Sequence, residues 1–176
     1  MGRPKALVVD ADGTSWLTRS IEVLLAGGCE SVTVVLGAAS DQAAGLLPDG
    51  PVSAVVAGDW AEGMGASLRA GLRASAGGAA DAVLVSLVDL PDVGAEVVRR
   101  VLSLAGPDVL ARAAYAGVPG HPVLLGRHHW AAVLREASGD AGARHFLARH
   151  RVVLVECGDL ATGRDVDTLT GEERNG

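Results

Sequence analysis

Ala82–Pro91 reads AVLVSLVDLP, an apolar and β-branched run that stops on an aspartate and a proline. A run of this kind, bounded by turn-forming residues, predicts a buried strand. Three others share its character: SVTVVLG over Ser31–Gly37, VSAVVA over Val52–Ala57 and RVVLVEC over Arg151–Cys157. Between them Leu17, Ile21, Leu24 and Leu25 recur at helical spacing, as do Val97, Val98, Val101 and Leu102. Ser15 and Ser138 are candidate N-caps, and Gly27-Gly28 closes the first helix. Near-continuous apolar strands that alternate with helices need cover on both faces, so the pattern predicts a three-layer α/β/α domain with a mostly parallel sheet. Such sheets bind ligands beyond the carboxyl ends of their strands. Asp89, at the end of the quoted run, therefore falls on the expected ligand rim.

Composition bounds what the rim can serve. The 176 residues predict one domain, 1–176, with room for a substantial core. Apolar residues make up 49% and aromatics 3%, so that core is built from Val, Leu and Ala. A formal charge of −6 argues against a broad nucleic-acid face but leaves room for one nucleotide on a local cluster of donors. Cys29 and Cys157 have neither zinc-site spacing nor a disulfide framework, which fits a reducing cytoplasm. The sequence shows no secretory leader pattern and no apolar run near membrane-spanning length, so a soluble, intracellular protein is expected.

Asp89 suits a magnesium ion held against phosphate oxygens, or else a cap on the following turn. Asp165 and Asp167, two apart in GRDVDTLTGEE, point to one side if that segment is extended; an Asx turn is the plainer alternative. In DWAEGMGASLRAGL, Gly63 and Gly65 allow close approach to the backbone at a helix start, and Ser67 caps that helix or meets a nucleobase. His121 stands between Gly120 and Pro122, residues that fix a loop's shape. Lys5 is the only lysine of the chain, a compact charge suited to a phosphate.

Taken in order, MGRPKAL, VVLGA, DWAEGMGASLRAGL, LVDLP, GVPGHPVLL and DVDTLTGEE resemble the molybdenum cofactor nucleotidyltransferases, in particular the cytidylyltransferase branch. That resemblance implies a Rossmann-like nucleotidyltransferase fold and Mg²⁺-dependent transfer of CMP from CTP (or GMP from GTP) to molybdopterin, with a molybdoenzyme as possible recipient. It implies phosphate binding by Gly2, Arg3 and Lys5, catalytic roles for Lys5 and Asp89, and metal binding by Asp89 with Asp165 and Asp167. Gly63, Gly65 and Ser67 would border the nucleoside, and His121 the acceptor. Members of the family open with a strand and a loop of the form L-A-(A/G)-G-x-S-x-R-M-G. Met1 and Gly2 coincide with the end of that loop, so a start some 10–20 residues upstream is expected, roughly one strand and a tight turn. The absent strand would lie mid-sheet. Two alternatives stand beside this. VVDADGT, over Val8–Thr14, matches the signature of haloacid-dehalogenase-like phosphatases, with Asp10 as nucleophile and Asp12 as acid/base. The other is a non-catalytic binding domain on the same fold.

Overall fold

A computed structural model describes residues 5–9, 13–38 and 40–165. Helix α1 (Trp16–Ala26) starts where expected: the Ser15 hydroxyl accepts the Thr18 amide, and the Gly27 amide closes the last turn on the Val23 carbonyl. The strands follow the apolar runs. They are β1 (Val32–Leu36), β2 (Val52–Val56), β3 (Ala82–Val85) and β6 (Val153–Glu156), each a residue or more inside its predicted limits at one end or both. The intervening helices are α2 (Ser40–Ala44), α3 (Met64–Ala76) and α4 (Ala95–Leu102). Helices α5 (Arg127–Glu136) and α6 (Arg144–Ala148) lead into β6.

A hairpin not foreseen in the sequence supplies the rest of the sheet. Strands β4 (Leu110–Tyr115) and β5 (Val118–Gly126) pair antiparallel across Ala116-Gly117, both at positive φ. Glu156 of β6 pins that turn, its carboxylate accepting the Ala116 and Gly117 amides at 2.9 Å each. The order in this sheet is β3-β5-β4-β6; β5 runs against the other three, and β4 and β6 are parallel. Strands β1 and β2 form a separate parallel pair. The architecture is α/β with strands predominantly in one direction, and it departs from a plain parallel sheet at β5.

Alternation along each strand divides the core. On β4, Leu110 faces Leu72, Trp130, Val133 and Phe146, whereas Ala111, Ala113 and Tyr115 face Val97, Val101 and Leu124. Val32, Val34 and Leu36 pack beneath Leu17 and Ile21 of α1. Helix α1 touches α4 and β1 on one side, and α3 touches α5 and β1 on the other. Both sheets therefore lie between the same two helix layers. The amides of Val32, Val34 and Leu36 serve β2, so those of Thr33 and Val35 point to the other edge of β1, which pairs with no strand among the described residues. By the same alternation Ala82 and Leu84 point to the edge of β3 that pairs with no strand among the described residues.

Candidate functional site

Asp89 follows β3 within a turn that packs against α4, and it is 7% exposed. A carboxylate so far from water needs a counter-charge. Lys5 supplies it across 84 residues of sequence: its Nζ lies 2.5 Å from Asp89 Oδ2. Asp89 Oδ1 accepts no hydrogen bond among the described residues, which leaves one carboxylate oxygen for a ligand.

His121 sits on β5, two residues before Val123, and Val123 pairs with Val85 at the end of β3. The antiparallel register thus carries His121 past the end of β3, toward Asp89. The His121–Pro122 bond is cis. Burial first, and then the Arg112 charge, hold the His121 pKa down to about 4 against the opposing pull of Asp89. At neutral pH this imidazole is uncharged and offers one donor and one acceptor. Two residues that the sequence reading passed over hold its loop. The Tyr115 hydroxyl donates to the His121 carbonyl at 2.7 Å, and Arg112 Nε donates to the Gly120 carbonyl at 3.0 Å. Burial, and then the nearby Cys157 and Asp92 charges, push the Tyr115 phenol above its ordinary range, so it stays a donor. The signal was faint: Tyr115 is the only tyrosine of the chain, and it precedes a Gly-containing turn.

The segment leading to Asp165 is tied to the same rim. Asp92, three residues after Asp89, accepts both the amide and the hydroxyl of Thr162 at 2.6 Å. Asp165 is exposed and three residues further on, within roughly 10 Å of chain reach from Thr162. Arg100 fastens the preceding turn with two bonds to Asp159, at 2.5 and 2.9 Å. Among the described residues no group of three or more His, Cys, Asp or Glu side chains gathers into a metal-holding cluster. Gly2, Arg3, Asp10, Asp12 and Asp167 lie outside the described residues.

At the start of α3 the close approach is made by the chain itself. A Cβ built on Gly65 would fall 2.7 Å from the Ser138 amide nitrogen and Cα, and one on Gly63 2.7 Å from the Gly139 carbonyl carbon. Gly63 also has φ 107°, a conformation that favours glycine. Both glycines therefore admit the Ser138–Gly139 segment. Arg69 of α3 locks this arrangement, donating to Ala137 O, Asp59 and Glu62 at 2.8, 2.8 and 2.9 Å. Ser67, one turn into α3, is half-buried, and its hydroxyl has no partner among the described residues.

A family model described as MobA-like NTP transferase domain matches residues 1–153. The nicotine blue oxidoreductase of Paenarthrobacter nicotinovorans is 37% identical over 179 residues, covering 96% of this chain and 86% of its own. The Rv0371c protein of Mycobacterium tuberculosis H37Rv, solved with manganese, has a TM-score of 0.76 at 26% identity, over 94% of this chain and 89% of its own. A nucleotidyl transferase from Methanothermobacter thermautotroptrophicus shares the fold, with a TM-score of 0.72 at 21% identity over 87% of this chain and 74% of its own.

Proposed function

The chain belongs to the MobA-like NTP transferase family, and from that premise we propose that it transfers CMP from CTP to the terminal phosphate of molybdopterin and releases pyrophosphate. The observation that carries this is the junction of Lys5 with Asp89: a buried carboxylate with one open oxygen, joined by the only lysine of the chain. Cation and carboxylate side by side match the two needs of a metal–triphosphate, a donor for phosphate oxygens and an anionic ligand.

In the proposed reaction an acceptor phosphate oxygen forms a bond to the α-phosphorus of CTP while the bond from that phosphorus to the bridging oxygen breaks. Pyrophosphate leaves. Chemistry of this kind rests on positioning and charge neutralisation. A divalent ion, proposed to be Mg²⁺, would be held by Asp89 with Asp165 or Asp167 and would neutralise charge at the α-phosphate. Lys5 binds phosphate oxygens, the Ser67 hydroxyl borders the nucleoside and the neutral His121 orients the acceptor by hydrogen bonding. Gly63 and Gly65 serve the site indirectly, by seating the segment that flanks Ser67.

Binding of CTP or GTP with Mg²⁺, measured as a thermal shift, tests the base preference, because a ligand stabilises by RT ln(1 + [L]/Kd). A larger shift with GTP moves the assignment to guanylyl transfer. An oxidoreductase activity is the second candidate, because the relative at 37% identity carries an oxidoreductase name. Oxidation of a reduced nicotinamide cofactor by this chain, without pyrophosphate formation, would favour it.

A further inference from the structure

The chain has five aromatic residues, three Trp, one Tyr and one Phe, and four of them are buried: Trp16, Tyr115, Trp130 and Phe146. Trp60 is the fifth, and it is 47% exposed. Its indole Nε1 has no hydrogen-bond partner among the described residues, whereas that of Trp130 donates to the Leu125 carbonyl. A lone exposed apolar side chain is ordinary on a protein surface. Trp60 differs in how its turn is held and in where that turn lies.

The turn is clamped on both sides. Arg69 joins Asp59, just before Trp60, to Glu62, two residues after it, at 2.8 and 2.9 Å. The Gly63 amide donates to the Trp60 carbonyl at 3.1 Å. A Cβ on Gly37 would lie 3.0 Å from the Trp60 Cβ and 3.2 Å from its Cγ, so the indole is rooted against bare backbone. Gly37 follows Leu36, the last residue of β1, and the Ala57 amide just after β2 donates to the Leu36 carbonyl at 2.8 Å. Strands β1 and β2 are parallel, so their carboxyl ends meet beside Trp60. That is the end at which such sheets receive ligands. The Lys5–Leu7 segment touches α2, which begins three residues after Gly37. Lys5, with Asp89 bonded to it, therefore borders the same end of β1. An indole fixed in advance loses little freedom when a flat partner covers it, and its face favours another ring.

We propose that Trp60 is a stacking platform for the planar heteroaromatic ring of a substrate. Two such rings take part in the nucleotidyl transfer proposed above, the base of the triphosphate and the pterin of the acceptor. The choice between them rests on that function; the platform itself does not.

The test uses the full chain. Trp16 and Trp130 are buried, so acrylamide quenching of tryptophan fluorescence reads Trp60, and Trp60→Phe supplies the baseline. The probes are CTP, GTP, neopterin and inorganic triphosphate, each with Mg²⁺ and each also titrated calorimetrically. CTP or GTP is expected to shield Trp60 from acrylamide, and inorganic triphosphate, which has no ring, is not. Trp60→Ala should weaken nucleotide binding by about tenfold and Trp60→Phe by less than about threefold, with triphosphate binding unchanged. Shielding by neopterin in place of the nucleotides supports the platform and assigns it to the acceptor ring. Nucleotide that binds without shielding Trp60, and equally well to Trp60→Ala, overturns the platform and leaves nucleotidyl transfer standing. No shielding by any ring-bearing probe overturns the platform as well. Shielding by neopterin in a protein that binds neither nucleotide supports the platform and overturns the nucleotidyl-transfer function instead.

Discussion

Replacing Gly65 by alanine separates two roles for the glycines at the start of α3. If Gly65 were there only to expose backbone, alanine would favour the helix by about 1 kcal/mol. In the structure the new methyl would sit 2.7 Å from the Ser138 amide nitrogen and Cα, backbone atoms with no flexible end to yield. Overpacking of this kind costs about 1–3 kcal/mol. The two effects oppose each other, and the net expected loss is about 1–2 kcal/mol, because a methyl against backbone displaces a whole segment. Gly71, in the same helix, is the control. Its added methyl would meet the Val35 Cγ2 at 3.1 Å, a side-chain contact that relaxes by a small shift, so Gly71→Ala should be neutral or stabilising by up to about 1 kcal/mol. Urea unfolding of both variants reads the difference. Equal gains in stability would refute the seating of Ser138–Gly139 against α3.

The depressed His121 pKa makes a signed prediction. Its folded value of about 4 lies below the ordinary 6.5, so its contribution is complete above pH 6.5 and is lost as the pH falls toward 4. The loss is at most about 3 kcal/mol, and it should be absent from His121→Gln; parallel stability-versus-pH curves for the two proteins would refute it. Hydrogen exchange should be faster at the amides of Thr33, Val35, Ala82 and Leu84, which point to edges with no strand partner among the described residues, than at those of Val34 and Val83. Uniform protection along β1 and β3 would contradict the division of the sheet.

The elements legible in the sequence were those whose own residues state their burial. The run at Ala82–Val85 is apolar throughout, the one at Val32–Leu36 is apolar but for Thr33, and α4 shows its buried Val97, Val98 and Val101 at helical spacing. The β4–β5 hairpin was hidden because Pro119, Gly120 and Pro122 read as loop signals, and the antiparallel turn at Ala116-Gly117 breaks the strand–helix alternation. Within the site, Asp89 and His121 were visible from the runs around them, and Lys5 from its rarity. Arg112 and Tyr115 were not, since their roles come from the register of β4 on β5. The glycines at 63 and 65 were marked as points of close approach, but their neighbour, the Ser138–Gly139 segment, lies more than 70 positions away and follows only from tertiary packing.

The junction of Lys5 and Asp89 is the centre of the account, and pyrophosphate release from CTP in the presence of Mg²⁺ and molybdopterin tests it most directly. Asp89→Asn keeps the size of the side chain and removes the charge that faces Lys5. Loss of that charge from a metal–phosphate site is expected to lower turnover by at least about 100-fold, roughly 2.7 kcal/mol, with the circular dichroism spectrum of the folded protein retained. Metal-dependent pyrophosphate release at the wild-type rate by folded Asp89→Asn would contradict the account.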